Sequence, residues 1–169
     1  MKIQTECRIY VGTYGKYNNG SIGGEWVDLA GHDKESFLEK CREIHSDESD
    51  PEFMYQDFNG FPRSFYDESY VPDELFEYVN LPEDDRNLLN AYIDAVGSHC
   101  GATLEQAQDS FRGIYASGAD FAEQIAEECG DVPKDFPAWI VIDWEASWNS
   151  NLRHDYITGE ANGDTYFFS

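Results

Sequence analysis

The chain has 169 residues, with 34 Asp or Glu against 11 Lys or Arg, so its formal net charge is -23 at pH 7. Direct binding to nucleic acid is disfavoured, because it needs Lys and Arg to replace counterions on phosphates. Acidic disorder is also disfavoured, because such chains contain few aromatic residues and this one is 15% aromatic and 41% hydrophobic. We expect a folded protein with a basic partner; a salt-adapted surface is the alternative left open.

The sequence also gives expectations for the cellular location of the protein and for the chemical state of its cysteines. No apolar run approaches the roughly 20 residues of a membrane span, and residues 1–6 lack the apolar core of a signal peptide, so we expect a cytoplasmic protein. Cys7, Cys41, Cys100 and Cys129 form no CxxC pair. We therefore expect reduced, mostly buried thiols rather than disulfides or a zinc site.

The first third of the chain has the pattern of a small antiparallel sheet with one helix. Turn residues at 15–20 separate the first two predicted strands, and Asp33 is positioned to cap a helix that ends near Ile44. The predicted strands cover 8–14, 22–29 and 52–58. These elements make up the first predicted domain, residues 1–62.

The middle of the chain is helical. Pro72 and Pro82 each stand at the start of a predicted helix, and Thr103 with Gln106 forms a capping box for a third. Acidic residues crowd the first turn of the second helix, where the helix dipole favours them. The second predicted domain is residues 63–109.

A longer helix dominates the last predicted domain, residues 110–169. Ser117 is positioned to cap it and Gly130 to end it. Its predicted buried stripe consists of Phe121, Ala122, Ile125 and Cys129. The face opposite is acidic and carries no Lys or Arg. Glu123 and Glu127, four residues apart on this face, form a like-charged pair, which lowers the stability of a helix by roughly 0.2 to 0.5 kcal/mol.

The rest of this domain contains one ambiguous segment and a hairpin. Residues 139–144 are apolar enough for either helix or strand, and we predict helix over 135–149. A strand is also predicted at 111–115, before the long helix, and strands at 156–158 and 165–168 form the closing hairpin. The predicted fold class is therefore α+β, an elongated chain of three small domains with antiparallel sheets and short helices.

The sequence contains no motif with the residue spacing of a known catalytic, metal-binding or cofactor-binding site. Gly12, Gly15 and Lys16 resemble a phosphate-binding loop, but the spacing is short and a turn follows where a helix should start. The acidic loop 47–52 lacks the glycine of an EF-hand. His32, His45, His99 and His154 have no metal-site spacing, so capping or surface roles suit them. We expect no enzyme, no cofactor and no metal.

Five motifs in order carry a resemblance to a known family. They are IYVGTYGKYNNGSIGGEW from Ile9, YQDFNGFP from Tyr55, the helix over 81–97, IYASGADFAEQIAEECGDVP from Ile114, and a closing GDTYFF. Over almost its whole length the chain resembles the ArdA family of antirestriction proteins. Members are encoded on mobile genetic elements (conjugative plasmids and transposons) and mimic double-stranded DNA to inhibit Type I restriction-modification enzymes.

The resemblance implies further properties. It implies a homodimer joined through the C-terminal domain, and a partner made of a methyltransferase core with its specificity subunit. The acidic and hydrophobic antirestriction stretch of the family would fall at about 122–137. Two chains carry 2 × -23 = -46 formal charges, and duplex DNA has one charge per roughly 1.7 Å, so a dimer could imitate at most about 80 Å of duplex.

Our hypothesis for the binding residues is that exposed carboxylates stand for phosphates. The candidates are Glu25, Asp28, Glu39, Asp47, Glu48, Asp50, Asp57, Asp67, Glu68, Asp73, Glu74, Glu77, Glu83, Asp84, Asp85, Asp120, Glu123, Glu127 and Glu128. For dimer or core contacts we favour Phe121, Ile125, Trp139 and Trp144. The rival hypothesis is an acidic interaction module that binds another basic DNA-binding protein; a metal-dependent enzyme is a distant third.

Overall fold

The computed structural model describes residues 6–98 and 100–169, and it has an α+β fold. Within these ranges the chain forms seven α-helices and two three-stranded antiparallel sheets. It divides into two compact units, Met1–Pro82 and Glu83–Ser169, each containing one sheet. The predicted α+β class is confirmed, whereas the division into three domains is not confirmed and stays a prediction.

The sheet of the first unit has its first strand in the middle. Strand β1 (Arg8–Thr13) pairs antiparallel with β2 (Glu25–Asp28) on one side and with β3 (Phe53–Asn59) on the other. Because side chains alternate along a strand, Ile9 and Val11 point into the core. All three predicted strands are confirmed, although β2 is shorter than predicted.

A short helix, α1 (Tyr14–Asn18), follows β1 where the sequence pattern predicts a turn. The Lys16 amide donates a hydrogen bond to the Thr13 hydroxyl at 3.1 Å and so caps the N-terminus of this helix. At the other end, the Asn19 side-chain amide donates to the Gly15 carbonyl at 2.8 Å. The turn prediction is wrong here because these two local caps stabilise a helical turn.

Helix α2 (Lys34–Ile44) begins at the predicted cap. The Asp33 carboxylate accepts a hydrogen bond from the Ser36 amide at 2.8 Å, and the Ser36 hydroxyl accepts one from the Asp33 amide at 3.1 Å. Phe37 and Cys41 are fully buried against the sheet. The same spacing exposes the acidic residues of the helix.

Helix α3 (Asp73–Val79) completes the first unit after a 3-10 turn at Arg63–Phe65. It begins directly after Pro72, as predicted. Proline has no backbone N–H, but the first N–H groups of a helix have no partner within the helix, so nothing is lost there. The Phe76 ring lies 5.6 Å from that of Phe37. Helices α2 and α3 therefore share one aromatic core.

The second unit combines four helices with the second sheet. Its elements are α4 (Glu83–Val96), α5 (Leu104–Ser110), β4 (Phe111–Ile114), α6 (Gly118–Cys129), α7 (Trp144–Ser150), a 3-10 turn at Leu152–His154, β5 (Ile157–Ala161) and β6 (Asp164–Phe168). The sheet order is β4-β6-β5. The predicted strand after α5 and the predicted closing hairpin are confirmed.

Strand β6 supplies side chains to both faces of its sheet. Tyr166 and Phe168 pack with Ala91 of α4 in one buried cluster. Phe167, between them, points the other way and stacks on Phe121 of α6 at 4.7 Å between ring centroids. Three consecutive buried aromatic residues therefore hold a helix layer on each side of one sheet.

Helix α4 approaches β5 closely because β5 has glycine at the crossing point. A Cβ atom at Gly159 would collide with the carbonyl oxygen of Ala91. The amide of Glu160 donates to the Asp94 carboxylate at 2.9 Å. Helix α4, predicted to belong to a separate middle domain, therefore packs on the C-terminal sheet.

The segment before α7 differs from its prediction. Helix was predicted over 135–149, but α7 begins only at Trp144. Pro137 disfavours helix in the preceding segment, and the Asp143 carboxylate accepts from the Ala146 amide at 2.8 Å, which starts the helix there. The helix prediction is wrong for residues 135–143.

The cysteines are free thiols, as expected, but only half of them are buried. Cys7 and Cys41 are buried, whereas Cys100 and Cys129 are exposed. Cys129 was predicted to extend the buried stripe of α6, and that prediction is wrong because the last turn of the helix is exposed at Glu127 and Glu128 as well.

Of the two roles predicted for the histidines, capping or surface, the surface role is wrong for His45 because it is buried, whereas His45 is the C-cap residue of α2. Its Nε2 lies 3.0 Å from the Val11 carbonyl oxygen and its Nδ1 lies 2.9 Å from Nζ of Lys16. Because a carbonyl only accepts and an ammonium only donates, these two contacts fit the tautomer that carries its proton on Nε2. His99 and residues 1–5 lie outside the described residues. No helix in the described ranges is long and apolar enough to cross a membrane.

Candidate partner-binding surface

Acidic side chains outnumber basic ones in both units. The first unit has 17 Asp or Glu against 7 Lys or Arg, a net charge of -10. The second has 17 against 4, a net charge of -13. Neither unit has enough cations to neutralise its own carboxylates, so both present negative surfaces.

Most of the proposed phosphate mimics lie at the surface. Of the 19 candidates, 17 are exposed, and only Glu48 and Asp85 are half-buried. Exposure is required of a phosphate mimic, because a partner must reach the carboxylate. It does not distinguish a binding residue from an ordinary surface acid, so the contacts of each carboxylate matter more.

Lys16 engages two of the candidates in the loop after α2. Its ammonium lies 2.9 Å from the Asp47 carboxylate and 4.0 Å from that of Glu48. The hydrogen bond from Lys16 lowers the pKa of Asp47. Glu48 also accepts a hydrogen bond from the Thr13 hydroxyl at 2.7 Å. These two carboxylates connect the loop to α1 and β1.

A second pair organises the loop between β3 and α3. The Asp67 carboxylate accepts from the Ser69 amide at 2.8 Å and the Tyr70 amide at 3.1 Å, and hydrogen bonds from Ser69 lower the pKa of Asp67. The Tyr14 hydroxyl donates to Glu68 at 3.1 Å. Partial burial and the Glu68 carboxylate raise the pKa of Tyr14.

Six further candidates have partners within the chain. Asp120 accepts a hydrogen bond of 2.6 Å from the Ser117 hydroxyl at the start of α6. Glu83 also takes part in an interaction. The remaining pairs are Asp73 with Lys34 at 3.7 Å, Glu128 with Gln124 at 2.9 Å, Asp85 with Gln108 at 3.5 Å, and Asp57 with the Phe58 amide at 2.8 Å.

Nine candidates remain exposed and unengaged. Within residues 6–98 and 100–169, no hydrogen bond or ion pair involves the carboxylates of Glu25, Asp28, Glu39, Asp50, Glu74, Glu77, Asp84, Glu123 and Glu127. Their charges are unpaired at the surface of the chain. They are therefore the strongest candidates for contact with a basic partner.

Helix α6 has a high linear density of charge. It carries four carboxylates and no basic side chain over its 12 residues. At 1.5 Å per residue the helix is about 18 Å long, which gives roughly one charge per 4.5 Å. One strand of duplex DNA has one phosphate per about 3.4 Å of axis. The acidic face of α6 thus approaches the charge spacing of a single strand.

Helix α2 behaves differently from α6. It contains three acidic and three basic residues, so its net charge is zero. Lys40 forms an ion pair with Glu43 at 3.0 Å. Glu39 therefore lies on a neutral helix, which makes it the least suitable of the nine unengaged carboxylates.

The four residues predicted for core or dimer contacts separate into two groups. Phe121 is 1% exposed and belongs to the core, and Ile125 and Trp144 are half-buried. Trp139 is 82% exposed, and Val141 nearby is 89% exposed. The exposed apolar segment 138–142 lies between α6 and α7; Ile114 and Ile157 of the same unit are also exposed, at 48% and 43%.

Sequence reasoning left out exposed acids near the end of the chain. Two basic residues, Lys134 and Arg153, lie among them. A count of charges after residue 130 would have found this excess. The additional exposed acids are Asp131, Asp135, Asp143, Glu145, Asp155, Glu160 and Asp164.

The fold and the surface define a class of small acidic α+β proteins. In the described ranges no group of three or more His, Cys, Asp or Glu side chains is placed to hold a metal ion. The chain matches the model of the family described as antirestriction protein (ArdA) over residues 9–163. It belongs to this family, which confirms the resemblance seen in the sequence.

Family membership carries a general function. Members are inhibitor proteins rather than known enzymes, and membership implies antirestriction and hence interaction with restriction enzymes in general. A comparison with curated proteins gives no match.

Proposed function

We propose that this protein is a double-stranded DNA mimic that occupies the DNA-binding groove of Type I restriction-modification enzymes and inhibits them. The observation that supports this most is the set of exposed, unengaged carboxylates on both units of an antirestriction protein. A groove that binds DNA is lined with Lys and Arg, whose charges complement this surface. The inhibitor acts by occupancy and carries out no chemistry.

The nine unengaged carboxylates are the proposed phosphate mimics. Glu123 and Glu127 lie on α6, and Glu74 and Glu77 lie on α3, which has three acidic and no basic residues. The ten engaged carboxylates shape loops and helix starts and add to the field at longer range. A field of this kind accelerates association and makes it sensitive to salt.

The proposed active form is a homodimer joined through the second unit. The exposed apolar segment 138–142 supports this, because Trp139 and Val141 are more exposed than soluble proteins normally leave large apolar side chains. Burial of this segment against a second copy would remove that surface from water. It would also give the two-fold arrangement suited to an enzyme with two DNA-recognition domains.

A competition experiment tests the inhibition. Purified protein is added to a Type I methyltransferase bound to labelled duplex, and DNA release is followed at two salt concentrations. We expect displacement near one dimer per enzyme, weaker at the higher salt concentration. Absence of displacement at large excess would reject DNA mimicry for this enzyme class and favour a different basic DNA-binding protein as the partner.

Matched variants test the assignment of the carboxylates. One variant combines Glu74→Gln, Glu77→Gln, Glu123→Gln and Glu127→Gln. The control combines Glu35→Gln, Glu105→Gln, Asp109→Asn and Asp164→Asn, which changes the net charge equally at exposed positions outside the candidate set. We expect the first to weaken displacement more than the control. Equal losses would show that only total charge matters.

A further inference from the structure

The outer face of the first sheet has a cavity lined by aromatic side chains. Its volume is about 490 Å³, and its lining includes Tyr10, Tyr17, Trp26, Tyr66, Asp57 and Glu68. Tyr17 is 52% exposed and Trp26 is 40% exposed. The core of the unit does not use this face, since Ile9 and Val11 point to the opposite side. The cavity is therefore open to a partner.

The aromatic rings of the cavity are held in place by the backbone. Tyr10 and Trp26 are opposite each other in the β1–β2 ladder, and their rings meet edge to face at 5.5 Å. The Tyr10 hydroxyl donates to the Ile22 carbonyl at 3.1 Å, and the Tyr66 hydroxyl donates to the Tyr55 carbonyl at 2.6 Å. A ligand would meet a preformed site, which reduces the entropy lost on binding.

Two carboxylates stand at this cavity without a cation of their own. Asp57 is opposite Tyr10 in the β1–β3 ladder, and Glu68 is oriented by the Tyr14 hydroxyl. Among residues 6–98 and 100–169, no Lys, Arg or His lies within ion-pair distance of either carboxylate. Aromatic faces together with carboxylates form a site for an organic cation.

The same part of the unit already holds two guanidinium groups on aromatic rings. The guanidinium of Arg8 lies 4.7 Å from the ring centroid of Trp26. That of Arg63 lies 4.6 Å from the ring centroid of Tyr66. The guanidinium group is planar, stacks on aromatic faces and binds carboxylates through two parallel hydrogen bonds, whereas an ammonium group does not stack. The local chemistry therefore favours arginine over lysine.

We propose that this cavity receives an arginine side chain from the DNA-binding surface of the partner protein. The proposal rests on the proposed function, because it takes the partner to be a basic DNA-binding enzyme. It adds one specific binding site to a surface that otherwise interacts with the partner through many exposed carboxylates. Arginine residues that contact phosphates in the enzyme's groove have the chemistry that the cavity selects.

A pair of tyrosine variants tests the anchor. Tyr17→Ala removes one wall of the cavity, and Tyr70→Ala removes a tyrosine of nearly equal exposure, 54% against 52%, that does not line it. We expect Tyr17→Ala to weaken binding to the methyltransferase about 5- to 30-fold, the range of a partly desolvated cation-π contact, and Tyr70→Ala to change it less than 2-fold. Equal effects would overturn the proposal.

The carboxylates are tested with a second matched pair. Asp57→Asn with Glu68→Gln is compared with Asp109→Asn and Glu105→Gln, which change the net charge by the same amount at exposed positions outside the cavity and outside the proposed phosphate mimics. A larger loss of affinity for the cavity pair supports the anchor. Equal losses of affinity for the two pairs, at unchanged thermal stability, would show that the cavity carboxylates contribute only their charge and would contradict the proposed anchor.

A direct measurement separates this proposal from the proposed function. The indole N–H resonance of Trp26, assigned with Trp26→Phe, is followed while the isolated protein is titrated with N-acetyl-arginine amide or N-acetyl-lysine amide. We expect a saturable shift with the arginine compound and a weaker one with the lysine compound. If neither compound shifts the resonance, the cavity proposal fails even where the enzyme is inhibited. If the enzyme is not inhibited, the proposed function fails whatever the titration shows.

Discussion

Carboxylates of the same type have different roles in this chain, and their contacts separate these roles. The Asp33 carboxylate caps α2, and hydrogen bonds from Ser36 lower its pKa. That of Asp67 holds a loop. Glu74 and Glu77 engage no other group in the described ranges and point into solvent. Neutralising the structural carboxylates, such as Asp33 and Asp67, should therefore lower the stability of the fold. Neutralising the unengaged carboxylates, such as Glu74 and Glu77, should instead weaken binding to the partner.

A buried thiol gives a prediction about stability at alkaline pH. Burial raises the pKa of Cys41 to about 12 from its ordinary value of 9.0. A raised pKa in the folded state stabilises the fold below about pH 9, and this contribution is lost as the pH rises toward 12, by at most about 1.4 kcal/mol for each pH unit. We expect the free energy of unfolding of Cys41→Ala to fall less steeply above pH 9 than that of the wild type.

Urea unfolding between pH 7 and pH 11 measures this difference. Burial, and to a lesser extent the charge of Cys41, also raise the pKa of Tyr55, so some alkaline loss remains in the variant, and the difference between the two slopes reports the thiol together with its effect on Tyr55. The exposed Cys129 provides the control, because Cys129→Ala should keep the wild-type slope. Identical slopes for Cys41→Ala and the wild type would contradict the prediction.

At the scale of elements, helix α6 has an arrangement of charge that does not favour its own stability. Asp120 lies in the first turn, where the helix dipole favours a negative charge. Glu127 and Glu128 lie in the last turn, where the dipole opposes one, and Glu123 faces Glu127 across one turn. Carboxylates that destabilise their own helix are expected where they bind a basic partner.

Two substitutions with the same change in charge test this arrangement. We expect Glu127→Gln to raise the free energy of unfolding by roughly 0.5 kcal/mol, because it relieves the like-charged pair and the unfavourable dipole. Asp120→Asn should lower it, because the side chain loses a favourable dipole contact and a charged hydrogen bond with Ser117. Thermal and urea unfolding measure both. Destabilisation by Glu127→Gln would show that its carboxylate is structural.

For the whole molecule, charge and exposed apolar surface have opposite effects on association. A net charge of -23 per chain makes two copies repel each other. The apolar segment 138–142 favours their association. The repulsion is screened by salt, whereas apolar burial is not weakened by it. The proposed dimer should therefore become tighter as the ionic strength rises, while its binding to a basic enzyme becomes weaker.

Sedimentation of three proteins tests the dimer. We expect the wild type to sediment as a dimer and the double variant Trp139→Ser with Val141→Ser to sediment as a monomer with an intact fold. Ile22→Ser is the control, since Ile22 is 76% exposed and lies in the first unit. A dimer that persists in the double variant would place the interface elsewhere on the chain.

Local patterns predicted most of the elements correctly. Asp33, Thr103 and Ser117 all cap helices as expected, and Gly130 adopts the left-handed conformation, with φ of 71°, that ends α6. These signals depend on a few neighbouring residues, so a single sequence contains them. The unexpected α1 depends on Thr13 acting as a cap, a signal that the glycines and asparagines around it obscured.

Composition and short-range spacing are enough to predict the fold class, most of the helices and strands, the excess of negative charge and the family. Only the tertiary structure decided which carboxylates are engaged, that α4 packs on β5 across Gly159, that Trp139 is exposed, and that Trp26 and Tyr66 line one cavity. These features bring together residues far apart in the chain. No local pattern encodes them, because they arise from the packing of whole elements.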